Sequence, residues 1–449
     1  MDAIERAAVA AQSDAAAVPS VSLPDTIGYN VQVVLPYLLQ GVFTRNRFWT
    51  GVLARVYPDP LGVGFIARLR RKYGSAFYVR MLTTKALVVL AVNDIRRVLD
   101  HSPDVFADPP SKRRGMGHFQ PGAVTISRGD EWRDRRRFNE AVLAYQSPTH
   151  PDSARYLALV AAEVRALRNR PGAGQVTWHD VQALFEALML QVIFGAGARS
   201  DRELVDRLRK MMRESNRGAR TTSRHFAPFY ERLRSYLRSP EEGSLSAWCA
   251  RVPSSARTRV ENQIPHWMFA MMETLAINVA RALALIVTHP QAEAAVRSEL
   301  EQADINSPAA IAALSFVEAC LHEAMRLWPT TPLLVREVVG DADLSVGSVT
   351  RGTQILVLNG FNHRDRETLP FADTFTPERP FDYVVDYQFN HLSHGPQMCA
   401  GKELLMFIGR AVVAHMLADA SYQLLRPTLD PSRPLPHAFD HFSMVLRPR

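Results

Sequence analysis

A cysteine between two glycines, an acid inside an apolar helix and two short Arg-containing spacings are the positions in this sequence that could do chemistry. The thiol lies in Leu392-Ser393-His394-Gly395-Pro396-Gln397-Met398-Cys399-Ala400-Gly401, and an apolar helical pattern (Leu404, Leu405, Ile408, Val412, Val413, Met416, Leu417) follows at once. Glycines carry no Cβ and tolerate positive φ, so backbone here can pass close to something flat or bulky. Amides at the start of the next helix favour an anionic sulfur. Such a loop suits a thiolate that ligates a metal or attacks as a nucleophile, and on the loop alone a buried structural cysteine fits equally.

The acid is Glu273, beside Thr274, in the stretch from Pro265 to Thr288 (PHWMFAMMETLAINVARALALIVT). Apolar residues all round mark a helix through the middle of a core, and a lone charge there is costly unless it is used. The plainer alternative is a salt-bridged Glu273 with Thr274 bonded back to a carbonyl. Glu323 and Arg326 sit one turn apart before Leu327-Trp328-Pro329; most pairs so spaced are surface contacts worth little. Trp132 and Arg136, four apart in EWRDRRRF, share one helical face, while Arg133 and Arg137 share the neighbouring stripe. A solvated basic face explains that segment as well.

The elements that must position these residues follow from periodicity and punctuation. Residues 33–73 read as helical, ending in Arg68, Arg70, Arg71 and Lys72. Residues 76–93 alternate as a strand pair turning near Thr83-Thr84, and a helix covers 94–101. Pro and Gly crowd residues 102–127, read as a long substrate-covering loop. Helices are expected over 151–168, 178–196 and 200–213, with a polar, Arg-rich stretch to 262.

Composition sets the limits. With 47% apolar residues among 449 the chain can bury a sizeable core, and a net charge of +8 favours an acidic partner. No nucleic-acid-binding motif accompanies that charge. Three cysteines argue against a disulfide framework and for a reducing, cytoplasmic setting. The apolar run Val33–Phe43 is about half of the ~20 residues a membrane span needs, so no transmembrane anchor is expected. Shallow contact of residues 33–48 with a membrane surface is compatible with Arg45 and Arg47. Residues 1–28 read as a flexible tail.

Together these segments resemble the cytochrome P-450 superfamily. The cysteine loop is similar to its haem-ligand loop, Phe-x-x-Gly-x-x-x-Cys-x-Gly, with Gly395, Cys399 and Gly401 in register. Leu392 replaces the Phe, and Gln397 stands where Arg or His is usual. Glu273-Thr274 resembles the family's acid–Thr pair, with Met271 where Gly is usual after Ala270. Glu323 and Arg326, then Asn362-His363-Arg364-Asp365 and Phe375-Thr376-Pro377-Glu378-Arg379, match further signatures in order.

The resemblance implies a mainly α fold with a smaller β-rich lobe (about residues 30–95 and 330–390), all of 29–449 forming one haem-thiolate domain. Haem b would lie between the central helix and the cysteine loop, with Cys399 as axial ligand. Trp132, Arg136 and Arg336 would hold its propionates. Ala270, His394, Gly395, Gln397 and Gly401 would border it, His394 being a candidate replacement for the missing loop cation. Glu273 and Thr274 would handle protons, and Glu323, Arg326 and Arg379 would brace the loop. The implied activity is that of a soluble, bacterial-type monooxygenase inserting one atom of O2 into an apolar small molecule. Electrons would come from a ferredoxin/ferredoxin reductase-type donor docked on Arg133, Arg137, Lys402 and Arg410. The substrate pocket would draw on residues 102–127, 210–235, 266–278 and 331–339. A haem-thiolate peroxygenase or isomerase without a reductase, a non-catalytic haem or ligand carrier, and a helical scaffold are the competing readings.

Overall fold

The computed structural model describes residues 18–56, 62–170, 174–379 and 386–449. Helices dominate, packed around one large core that runs from Phe119 to Leu446. At its centre lies the expected apolar helix, in three contiguous pieces: Ile264–Phe269, a π-helical turn Ala270–Leu275, and Ala276–Thr288. Every side chain from Ala276 to Val287 is buried. By length and composition the stretch Val260–Thr288 could cross a membrane, but 89% of its apolar window is buried inside the protein, as befits a core helix. The π turn interrupts what periodicity reads as continuous α-helix, and it falls on the segment that holds Ala270, Glu273 and Thr274. Single π turns of this kind accompany functional sites.

The β-rich lobe is a five-stranded sheet in the order Ala76–Met81, Thr84–Val89, Gln354–Val357, Leu334–Val338, Phe106–Ala107. The first two strands form the expected hairpin, Phe77 facing Val88. Ala86 pairs in parallel with Gln354, joining parts of the chain far apart in sequence. Within residues 33–73, read as helical, the described residues form the helices Leu35–Gln40, Arg47–Val56 and Val63–Tyr73. A second sheet, Val176–Thr177 with Val445–Pro448 and Tyr422–Arg426, lies outside the expected lobe. Its strands are too short to leave a clear alternation.

Two boundaries move. Residues 1–17 of the expected tail lie outside the described residues, but 18–28 are structured. Tyr78 donates its amide to the Pro19 carbonyl at 2.8 Å. Ser22 caps the helix Leu23–Tyr29, whose Tyr29 is fully buried. The loop expected over 102–127 contains the strand Phe106–Ala107 and the helix Pro110–Gly117. Proline is compatible with a helix's first turn, where its missing N–H would be unpaired anyway.

Residues 23–40 also carry an exposed apolar stripe. Leu23, Ile27, Val31, Leu35 and Leu38, three to four residues apart, are 45–73% exposed.

Candidate functional site

The cysteine loop is held from three sides. Gly395 has φ +63°, and a Cβ there would fall on the backbone of Leu99, 2.8 Å from its carbonyl carbon. Glycine is therefore required both by conformation and by the helix Val92–Asp100 against it. Gly401 is different: its φ is −102° and a Cβ would make ordinary contact with Leu143 at 3.6 Å. On the second side Arg136, on the helix Gly129–Val142, donates to the Met398 carbonyl and to Glu140 at 2.7 Å. Its guanidinium also lies over Tyr145.

The third anchor is the Glu323–Arg326 pair, which is a core element and no surface contact. Arg326 is fully buried and donates to both Glu323 oxygens at 2.6 and 2.8 Å. It also donates to the carbonyls of His363, Ala372 and Thr374. Arg379 adds a bond to Glu323 at 2.9 Å. Planar, always-charged guanidinium suits such multiple pairing. From there His363 Nε2 accepts the Asn390 amide at 3.1 Å, and the Ser393 amide bonds the Asn390 carbonyl. The chain of bonds thus runs from Glu323 into the ligand loop.

Cys399 donates its amide to the Leu392 carbonyl at 2.9 Å, leaving the thiol at the end of the turn before the helix Lys402–Leu417. Burial pushes that thiol up, while the Gly401 amide, Arg136 and Lys402 pull it back. Gly409 lets this helix approach Leu275 and Val279 of the central helix, at 3.5 and 3.6 Å from where a Cβ would sit.

On the central helix, accessibility separates two faces. His266, Phe269, Ala270 and Thr274, at successive turns of the helix, are partly accessible in an otherwise buried run. Ala270 and Thr274, four apart, share this open stripe. Met271 and Met272 pack into the core at 2% and 0% exposure, so the bulk after Ala270 is absorbed away from the stripe. Glu273 points elsewhere: it is 8% exposed and accepts a bond from Arg209 Nε at 3.0 Å. Burial pushes its carboxyl up and Arg209 opposes that. The acid and the threonine are neighbours in sequence but serve different faces.

The expected propionate residues meet an unexpected carboxylate. Arg336 is 4% exposed and contacts Asp108 at 3.4 Å and Ser102 at 3.3 Å. Lys112 reaches the same Asp108 at 2.5 Å, and Gln397 Nε2 does so at 3.5 Å. Burial works against the charge of Asp108, but Lys112 and Arg336 hold its carboxyl below the usual range. Lys112 thus brings a cation to the same Asp108 that Gln397 reaches. His394 is fully buried, donates to the Phe389 carbonyl at 3.2 Å and stacks on Tyr387. Burial lowers its basicity, so it packs under the loop as a neutral ring. Trp132 is buried one turn before Arg136 on the same helix.

Sequence reasoning missed Asp108, Lys112 and His266, because they sit in a segment read as loop and in a run read as core. Lys112 could be found as the cation four residues after Asp108, one helical turn on from the Asp-Pro-Pro start. His266 is pushed down to about 4 by burial and by Lys112, which places the two close together. Of the expected docking cations, Arg133 and Arg137 are exposed. Arg410 is corrected: at 2% exposure it binds Glu318 and the Ala312 carbonyl, each at 2.9 Å, and faces no partner. Helix burial on all sides outweighs its charge.

The residues fit a haem. A thiol at a braced turn suits the role of axial ligand, the partly accessible stripe of the central helix includes the small Ala270 and Thr274, and Arg136, Arg336 and Lys112 are the cations that would meet the haem carboxylates. The buried Gln397 Oε1 has no hydrogen-bond partner.

Comparison with known proteins agrees. Residues 48–261 and 256–435 match the family model described as Cytochrome P-450. Among curated proteins, the chain is similar to Cytochrome P-450 4d1 of Drosophila melanogaster, 26% identical over 184 residues, 38% of this chain and 36% of that protein. It is similar to Cytochrome P-450 4V2 of Mus musculus, 25% identical over 167 residues, 35% and 32% of the two chains. It is also similar to aromatase of Bos taurus, 30% identical over 174 residues, 38% and 34%. The match spans about a third of the length of these relatives, all of them animal proteins, and lends nothing to a bacterial type.

Proposed function

Because the chain belongs to the cytochrome P-450 superfamily, we propose that it is a haem-thiolate monooxygenase acting on an apolar small molecule, with electrons from a separate donor. The observation that carries this reading is the loop of Cys399, fixed by Gly395, Arg136 and the Glu323–Arg326–Arg379 cluster. Haem b held by Cys399 supplies the activation of dioxygen, helped by electron density from the thiolate. The chain's own residues do the rest. Arg136, Arg336 and Lys112, with Trp132 beside them, would hold the haem carboxylates. Ala270, with no side chain beyond Cβ, leaves room over the haem, and the Thr274 hydroxyl on the same stripe can pass a proton at its Oγ1. Glu273 can relay to it only after leaving Arg209.

The ferredoxin-type donor is supported by exposed Arg133 and Arg137, on the helix whose Arg136 touches the ligand loop. A cytoplasmic setting is supported by three free cysteines. The stripe Leu23–Leu38, beside exposed Arg68 and Lys72 that pair with Asp25, supports a chain resting on an anionic membrane surface. The Arg209–Glu273 bond favours one alternative, oxidation by peroxide or isomerisation without a reductase.

The test is turnover of an apolar substrate panel under 18O2 with a surrogate ferredoxin system. One labelled oxygen in the product supports the proposal. Product with peroxide and none with the reductant system supports the alternative.

A further inference from the structure

Glu273 borders a second feature that the haem chemistry does not use: an open cleft of about 1430 Å³ on its side of the central helix. Thr274 does not line it. The cleft exceeds the ~300–1,000 Å³ of common small-molecule sites. Arg209, Arg213 and Arg217 form one wall, four residues apart along the helix Arg202–Asn216 and its cap. Arg47 and Arg426 come from the facing side, and Glu273 and Asp440 are the carboxylates in the lining. Among the described residues, Arg47, Arg213, Arg217 and Arg426 have no ion-pair partner. Like charges gathered this way repel and favour an anion between them.

Arg209 anchors that wall: it is 9% exposed, and its guanidinium binds Glu273 at 3.0 Å and Glu186 at 2.5 Å. Its charge is thereby balanced, which leaves Arg213 and Arg217, further along the same helix and at its cap, as the cations of this wall without an ion-pair partner among the described residues. Apolar side chains, Leu38, Phe48, Trp49 and Phe442 among them, also line the cleft. Leu38 and Phe48 are 45% and 67% exposed, surface that a covering ligand would bury.

We propose that this cleft binds a phosphate monoester carried on an apolar body. The head group accepts from Arg213 and Arg217, and the body lies on Leu38, Phe48 and Trp49. Planar guanidinium forks match phosphate oxygens in pairs, and a dianion suits several of them better than a single carboxylate does. Cys399, Ala270 and Thr274 do not line the cleft, and the test does not depend on turnover.

The experiment is titration calorimetry of the full-length haem-loaded protein with octyl phosphate and with octanol. The variants are Arg213→Glu/Arg217→Glu and, on the facing wall, Arg426→Glu. Circular dichroism and haem content show that each variant is folded. The expected result is saturable binding of octyl phosphate, at least ten-fold weaker for octanol and at least ten-fold weaker in both variants. No saturable binding, equal affinity for octanol, or folded variants that bind as the parent does would overturn the proposal.

Discussion

Arg336 holds its guanidinium 3.4 Å from the Asp108 carboxylate, with both side chains at most 4% exposed and Lys112 closing on the same acid. Asp108 thus engages two cations that a haem carboxylate would use. Removing one member of a buried charge group leaves the others uncompensated, at about 3–5 kcal/mol. Asp108→Ala is expected to lower the stability of the haem-free protein by about 3 kcal/mol in urea unfolding. Asp108→Asn, which keeps a hydrogen-bonding side chain but no charge, is expected to slow haem loss to apomyoglobin. Faster loss would show that Asp108 does not compete with the haem carboxylates.

The cluster of Glu323, Arg326 and Arg379 braces the ligand loop through His363 and Asn390. Glu323→Ala leaves a fully buried guanidinium without its partner and is expected to cost at least 3 kcal/mol. The measurement is recovery of soluble, haem-containing protein, which should be abolished. Normal haem content in this variant would remove the cluster from the account.

The two loop glycines are expected to behave oppositely. Gly395→Ala meets the Leu99 backbone at positive φ and should lose the thiolate-ligated spectrum. Gly401→Ala meets Leu143 at 3.6 Å and Leu405 at 3.9 Å, both ordinary contacts, with ordinary φ, and should keep it. Reduced–CO spectra of the two variants decide this.

Acid should destabilise the fold through buried histidines. Burial pushes His322 down to about 4 and His363 to about 3, and His391, 2.9 Å from His322, lies well below its ordinary range. Their folded-state values lie under the unfolded value of ~6.5, so the unfolded chain takes up protons first. Stability is therefore intact above about pH 6.5 and falls as pH drops toward 4. Three such protons give a slope of up to about 4 kcal/mol per pH unit. Thermal unfolding between pH 7.5 and 5 checks this, and a flat profile would contradict it.

The apolar stripe predicts surface binding. The protein should co-sediment with vesicles rich in anionic lipid, and Ile27→Asp/Leu35→Asp should reduce the bound fraction several-fold. Equal binding of parent and variant would move the contact elsewhere.

Much of the site was legible because its residues sit in long periodic segments. The central helix, the Glu323–Arg326 turn and the Cys399 loop each carry a local signal that tertiary packing did not override. What sequence could not show was direction. Glu273 and Thr274 are adjacent, and it took the packing to show that the acid faces Arg209 while the threonine stays on the open stripe. Arg410 carries the charge of a docking residue but lies on a buried helix side. Asp108 and Lys112 were hidden by prolines that read as loop but in fact start a helix.

The most direct measurement is the carbon monoxide difference spectrum of the dithionite-reduced protein, recorded beside Cys399→Ala. The account predicts a strongly red-shifted Soret band in the parent and its loss in the variant. An unshifted band in the parent, or a shifted band that survives in Cys399→Ala, would contradict it.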